Sequence, residues 1–209
     1  MDFQKEDAVN WIKKMTDKVT LNKHYLTALD TQIGDGDHGD NIVRGFHSVS
    51  QLLHNAKEEE LATVAQVLRE SAKVLLTTVS GASGTLYATA FLRMAYVFEH
   101  KERIDHRAFT EAIHEAVKGI QERGNVKYGE KTLLDVWIAL ANLFQTSKGF
   151  PQAAQIEQSA KRAMERTKAS LAKKGKAALY EENSLGHIDP GAASTYYLFA
   201  SLAEVCEEK

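Results

Sequence analysis

The chain has almost none of the residues that staple or interrupt a fold. Cys206 is the single cysteine among 209 residues. It excludes an internal disulfide framework, and with no Cys cluster and no HExxH pair there is no zinc signature either. A lone thiol fits a reducing compartment, so the expected location is cytoplasmic. Only two prolines occur, Pro151 and Pro190, and both fall between helical patterns as punctuation. No apolar run is long enough to span a bilayer and no signal-peptide pattern opens the chain, so no membrane role is expected. A net charge of −2 leaves no basic footprint for nucleic acid. What is present, 44% hydrophobic and 26% charged residues, suits one sizeable core. Residues 1–209 are therefore read as a single domain.

Alternating strand patterns are hard to find, and helical spacing dominates. Val9, Ile12 and Val19 mark a first amphipathic helix, and Ile42, Phe46, Val49 and Leu53 a second. Leu61 to Leu75, Leu86 to Phe98, Phe109 to Ile120 and Leu133 to Leu143 give four more with the same period. Ile156, Ala160, Ala163, Thr167 and Leu171 mark a seventh, and an eighth runs from about Pro190 to Glu207. Asp189 is placed to cap the eighth, with Pro190 in its first turn, where a missing N–H costs little. The expected fold is all-α: about eight amphipathic helices in a bundle or barrel.

The segment between the first two patterns, Leu29 to Asn41, reads LDTQIGDGDHGDN. Gly34, Gly36 and Gly39 let the backbone turn sharply, so Asp30, Asp35 and Asp37 can converge. Converging carboxylates repel one another unless a cation sits among them. Mg²⁺, a hard ion held by a few carboxylates together with substrate phosphates, fits that demand. A DGD run is also a common solvated turn. An EF-hand calcium loop begun at Asp35 would need Gly at its sixth position and Glu at its twelfth, where this chain has Asp40 and Phe46. That reading fails. His38, inside the loop, is placed to donate to a phosphate oxygen.

Three glycine-bearing segments precede helices: GDGDHGDN, SGASGTLY from Ser80, and HIDPGAAS from His187. Gly124 and GEKTLLD, from Gly129, form a fourth. Helix N-termini offer unpaired N–H groups and a positive dipole end to anions, and Gly81 and Gly84 would allow close backbone approach. Each signal alone has a plain alternative. SGASG is not a Walker A loop, because the GK[ST] ending and the preceding strand are missing. Small residues there also serve close helix packing. GEKT imitates the end of a P-loop only superficially, and GASG has the wrong spacing for a nucleophile elbow.

In combination, LDTQIGDGDHGDN, GASGTLYATAF, GEKTLLDVW and KGKAALYEENSLGHIDPGAAS resemble the nucleotide-binding L-subunit family of dihydroxyacetone kinases, from Trp11 to the last helix. The resemblance implies a barrel of eight antiparallel helices with the nucleotide in loops at one end. It implies ADP or ATP with two Mg²⁺ ions on Asp30, Asp35 and Asp37. His38, Gly39, Asp40 and Asn41 align with the segment that meets the phosphates, and Ser80, Gly81, Ala82 and Ser83 with the loop that wraps the nucleotide. Gly124, Thr132 and Leu133 align with positions around adenine and sugar, and Asp189, Pro190 and Gly191 with the segment closing over it. Lys176 stands where arginine is usual, which keeps the charge and loses the bidentate fork. Asp40 and Thr85 also depart from the common pattern.

The resemblance further implies phosphoryl transfer to dihydroxyacetone held on a separate K subunit. A phosphohistidine on an M subunit would recharge the bound nucleotide in the phosphoenolpyruvate-dependent version, which the stand-alone length favours over fused ATP-dependent enzymes. The rival readings are the nucleotide domain of a fatty-acid-kinase-like enzyme, and a Mg-ADP-binding regulatory protein that docks on a transcription factor.

Overall fold

The computed structural model describes residues 2–57, 61–101 and 103–209. Nine α-helices run through these residues. They are α1 (Lys5–Leu21), α2 (Lys23–Ile33), α3 (His38–Asn55), α4 (Val64–Thr78), α5 (Gly81–Phe98), α6 (His106–Gly124), α7 (Leu134–Thr146), α8 (Ala153–Arg166) and α9 (Pro190–Glu207). Two tighter 3₁₀ stretches, Thr167–Ala169 and Lys176–Ser184, lie between α8 and α9. Among the described residues the only β pairing is an isolated bridge between Phe3 and Ile104.

The helices begin where the sequence supplies a cap. Thr63 and Gln66 form a reciprocal capping box at α4. The Asp105 carboxylate accepts from the Ala108 N–H at 2.9 Å at α6, and the Asp189 carboxylate accepts from the Ala192 N–H at 2.7 Å at α9. α6 ends at Asn125, whose left-handed φ of 46° turns the chain away.

Eight of the helices close a ring. α1 packs on α3, then α3 on α4 and so on in chain order to α9, which returns to α1. The ring buries one apolar interior. Trp11, Phe91, Phe109, Phe144 and Phe199 lie in it, with Trp11 against Phe91 at 5.9 Å and Trp137 edge-on to Phe199 at 4.8 Å. The Trp11 indole donates to the Leu198 carbonyl at 2.7 Å and so ties α1 to α9. The expected eight-helix barrel is thus present, with its helices alternating in direction.

α2 is the element that periodicity did not reveal. It is 11 residues long, and its buried face carries Leu26, Leu29, Asp30 and Ile33. A carboxylate inside a short apolar stripe hides the stripe. α2 lies outside the ring, against α3 and α9, and covers one end of it.

The seventh pattern also overran its helix. α8 stops at Arg166, and Leu171 is partly exposed. The Thr167 carbonyl, which would accept the N–H of residue 171 in a continued helix, takes the Lys131 ammonium at 2.6 Å instead. Among the described residues no helix is long and apolar enough to cross a membrane.

Candidate nucleotide and metal site

Because the ring alternates in direction, α3, α5, α7 and α9 all begin at the end that α2 covers. A cavity of about 300 Å³ opens there, walled by the first turns of α3, α5 and α9, the turn before α7, the end of α2 and the segment after α8.

Asp30 sits in the last turn of α2 and is buried, whereas Asp35 and Asp37 are exposed in the following turn. One carboxylate oxygen from each lies within 4.8 Å of the others. The turn is built for this approach. A Cβ on Gly34 would overlap Asp30 Oδ1, and Gly36 has a φ of 76° that glycine adopts without strain. Asp30 Oδ2 accepts from the backbone N–H of Asp37 at 2.8 Å and of His38 at 3.0 Å. The buried carboxylate thereby caps α3 from the neighbouring helix and aims the other two. Three hard oxygen donors at this spacing suit Mg²⁺, and no soft ligand competes. The Lys176 ammonium pairs with Asp35 and holds its carboxyl below the usual range. A cation is already needed to offset this cluster.

Of the other expected residues, His38, Asn41, Ser80, Gly81, Ala82, Ser83, Gly124, Thr132, Leu133, Lys176, Asp189, Pro190 and Gly191 all line the cavity. Gly39 and Asp40 do not. Gly39 is where α3 crosses α2, and a Cβ there would come within 2.5 Å of the Lys23 carbonyl. Asp40 points outward into an ion pair with Lys23 at 2.5 Å, so its charge is answered away from the cavity. Gly84 is likewise a packing residue, close to the backbone of Val79. Gly81, with a φ of 77° and open space around it, faces the cavity.

His38, expected to donate to a phosphate oxygen, lines the cavity with both ring nitrogens near hydroxyls of the protein. Its ring is buried, with Nε2 2.9 Å from Ser194 Oγ and Nδ1 3.4 Å from Ser83 Oγ. Burial pushes its pKa down to about 4, outweighing the charges of Asp30 and Asp37. The imidazole is neutral at pH 7. The Ser194 hydroxyl in turn meets the Tyr87 phenol at 2.8 Å, which meets Thr195 at 2.8 Å. This buried chain fixes the ring between α3, α5 and α9.

Several cavity residues lie in or beside the quoted motifs but were not among the expected site residues. Ile33, Leu86, Val126 and Ala177 add apolar wall. Lys131, the lysine of GEKT, is buried with a left-handed φ of 62°. Its ammonium donates to the carbonyls of Thr167 and His187 and so ties the turn before α7 to the approach to α9. Asp135 holds the same turn by accepting from the N–H groups of Gly129 at 2.6 Å and Thr132 at 2.9 Å. Buried Asp189 has its pKa raised to about 7, chiefly by loss of hydration and then by the charge of Asp135, against the Ala192 N–H and Lys131. A final strap crosses the aspartate turn, where the Tyr180 hydroxyl donates to the Gly34 carbonyl at 2.9 Å.

An all-helical ring with three helix N-termini and a carboxylate triad around one apolar-walled cavity defines a class: metal-assisted binding of a phosphorylated ligand. The chain belongs to the family described as the DAK2 domain, which matches residues 32–204. It is 36% identical over 200 residues to the "PTS-dependent dihydroxyacetone kinase, ADP-binding subunit DhaL" of Lactococcus lactis, covering 96% of this chain and 97% of that one. It is 32% identical over 213 residues to the "PEP-dependent dihydroxyacetone kinase, ADP-binding subunit DhaL" of Escherichia coli, covering 100% of both. The fold is similar to that of the dihydroxyacetone kinase of C. freundii solved with AMP-PNP and Mg²⁺. There the TM-score is 0.72 at 23% identity, over 94% of this chain and 33% of that one.

Proposed function

We propose that residues 1–209 form the ADP-binding subunit of a phosphoenolpyruvate-dependent dihydroxyacetone kinase. The observation that carries this reading is the triad of Asp30, Asp35 and Asp37, with oxygens within 4.8 Å at the mouth of a cavity ringed by helix N-termini. The near full-length likeness to ADP-binding subunits supports it. The longer L-erythrulose 1-kinase of Mycolicibacterium smegmatis, by contrast, is spanned only over 32% of its length.

In this reading the three aspartates hold two Mg²⁺ ions. The ions supply charge neutralisation on the phosphates. The chain's own residues do the rest. Gly81, Ala82 and Ser83 direct the first N–H groups of α5 at the phosphates, and Asn41 adds its amide from α3. Leu133, Gly124, Pro190 and Gly191 enclose base and sugar, and the small side of Gly191 keeps that slot open. Neutral His38 fills the wall between Ser83 and Ser194 without adding charge. Lys176, paired with Asp35 at the cavity wall, would be the cation available to the phosphates were that carboxylate to hold a metal. In this cytoplasmic reading the chain would hold the nucleotide at the cavity end, where it could accept a phosphoryl group from a phosphohistidine M subunit and donate it to dihydroxyacetone on a K subunit docked there. In-line transfer requires that face-to-face contact.

Thermal melts with and without Mg-ADP test the metal assignment, after removal of any nucleotide carried through purification. At a hundredfold excess over Kd the ligand adds about 2.7 kcal/mol to wild-type stability. Asp37→Asn loses most of that gain. An equal ligand-induced shift in both proteins would remove Asp37 from the metal set.

A further inference from the structure

Arg44 stands one turn into α3, outside the cavity but touching its rim. Its Nε–H donates to the Thr78 carbonyl at 3.0 Å, and its Nη2 donates to Asn41 Oδ1 and approaches Ser80 Oγ at 3.5 Å. Asn41 and Ser80 both line the cavity. The guanidinium therefore bridges the first turn of α3 and the N-cap of α5, the two elements whose N–H groups face an anion.

All three acceptors that hold it are neutral. Like Arg107, Arg123, Arg162 and Arg166, and unlike Arg69, Arg93 and Arg103, Arg44 forms no direct ion pair among the described residues; of these it is the one that bonds two cavity-lining residues. The acidic side chain on its own helix, Asp40, is already engaged by Lys23. Its position is thus fixed on three sides by neutral acceptors, Asp40 acts on it only through space and without a direct ion pair, and Nη1 makes no hydrogen bond among the described residues. A planar fork held this way is suited to phosphate. Holding Asn41 by its oxygen also leaves the Asn41 NH₂ as the donor free for the cavity.

We propose that Arg44 contacts the terminal phosphate of the bound nucleotide and sets the preference of this site for polyphosphates over monophosphates. The inference rests on the nucleotide reading above. Base and sugar occupy the slot at Leu133 and Gly191, so the phosphate that reaches the rim between Asn41 and Ser80 is the last one. A monophosphate ends short of it.

The test is calorimetric titration of the nucleotide-free protein with AMP, ADP and a non-hydrolysable triphosphate analogue at fixed Mg²⁺, using wild type, Arg44→Gln and Arg44→Lys. The glutamine variant is expected to bind AMP within about twofold of wild type and to lose on the order of tenfold for the triphosphate analogue, with ADP between. The lysine variant recovers part of the loss, because it keeps the charge without the fork. Equal losses for all three ligands, or none, would overturn the assignment while leaving the nucleotide reading intact. A wild type that binds none of them would overturn both. Should the glutamine variant not fold, the lysine variant decides by the same graded order.

Discussion

Asp189 offers a direct measure of how the cavity wall is held. Its carboxyl is buried where α9 starts, and burial raises its pKa from 3.8 to about 7. A carboxyl with a raised folded-state pKa binds its proton more tightly in the native state than in the unfolded chain. Its contribution to stability is therefore complete below pH 3.8 and is lost as the pH rises through about 7. The whole rise corresponds to on the order of 4 kcal/mol, more than half of it between pH 5 and pH 8. Asp189→Asn removes the titration while keeping an oxygen for the Ala192 N–H, since asparagine is as good an N-cap as aspartate. The assay is urea unfolding of both proteins in the absence of ligand at pH 5, 6, 7 and 8. The variant should gain on wild type by roughly 2–3 kcal/mol across that range and then run parallel above pH 8. Parallel curves from pH 5 upward would refute the reasoning, because Asp189 would then ionise as an ordinary carboxylate, its charge already met by Lys131 and the helix N-terminus.

Other substitutions test packing and hydrogen bonding separately. Gly39→Ala places a methyl within 2.5 Å of the Lys23 carbonyl and should lower unfolding free energy by about 1–3 kcal/mol, with α2 the element that shifts. An unchanged denaturation midpoint would show that the α2–α3 crossing yields. Trp11→Phe and Trp137→Phe remove the same volume from the core, but only Trp11 has a hydrogen-bonded indole, to Leu198, while the buried Trp137 N–H has no partner among the described residues. Trp11→Phe should cost about 1 kcal/mol more in chemical denaturation, and equal costs would contradict the value placed on that bond.

The helical pattern shows how much a periodic sequence can state. Seven apolar stripes marked seven of the ring helices, and Asp189–Pro190 marked the start of the eighth. The aspartate-glycine run also showed which carboxylates the glycines allow to converge, and left open whether a cation or only a solvated turn answers them. α2 stayed hidden because Asp30 interrupts its buried face, and that same interruption brings Asp30 beneath the N-terminus of α3. Residue type alone could not assign Gly39, Asp40 or His38. Gly39 serves a helix crossing, Asp40 is turned outward to Lys23, and His38 loses its charge to burial.

What the sequence determined by itself was the set of local commitments: which segments are helical, where they are capped, and which turn can gather carboxylates. Only the tertiary structure decided which of those ends meet. A local sequence carries no record of the neighbour across a ring, and Lys131, Asp135 and Arg44 draw their surroundings from contacts with other elements. Each reads as an ordinary charged residue until closure of the ring buries one, turns another onto backbone N–H groups, and holds the third at the rim by neutral acceptors.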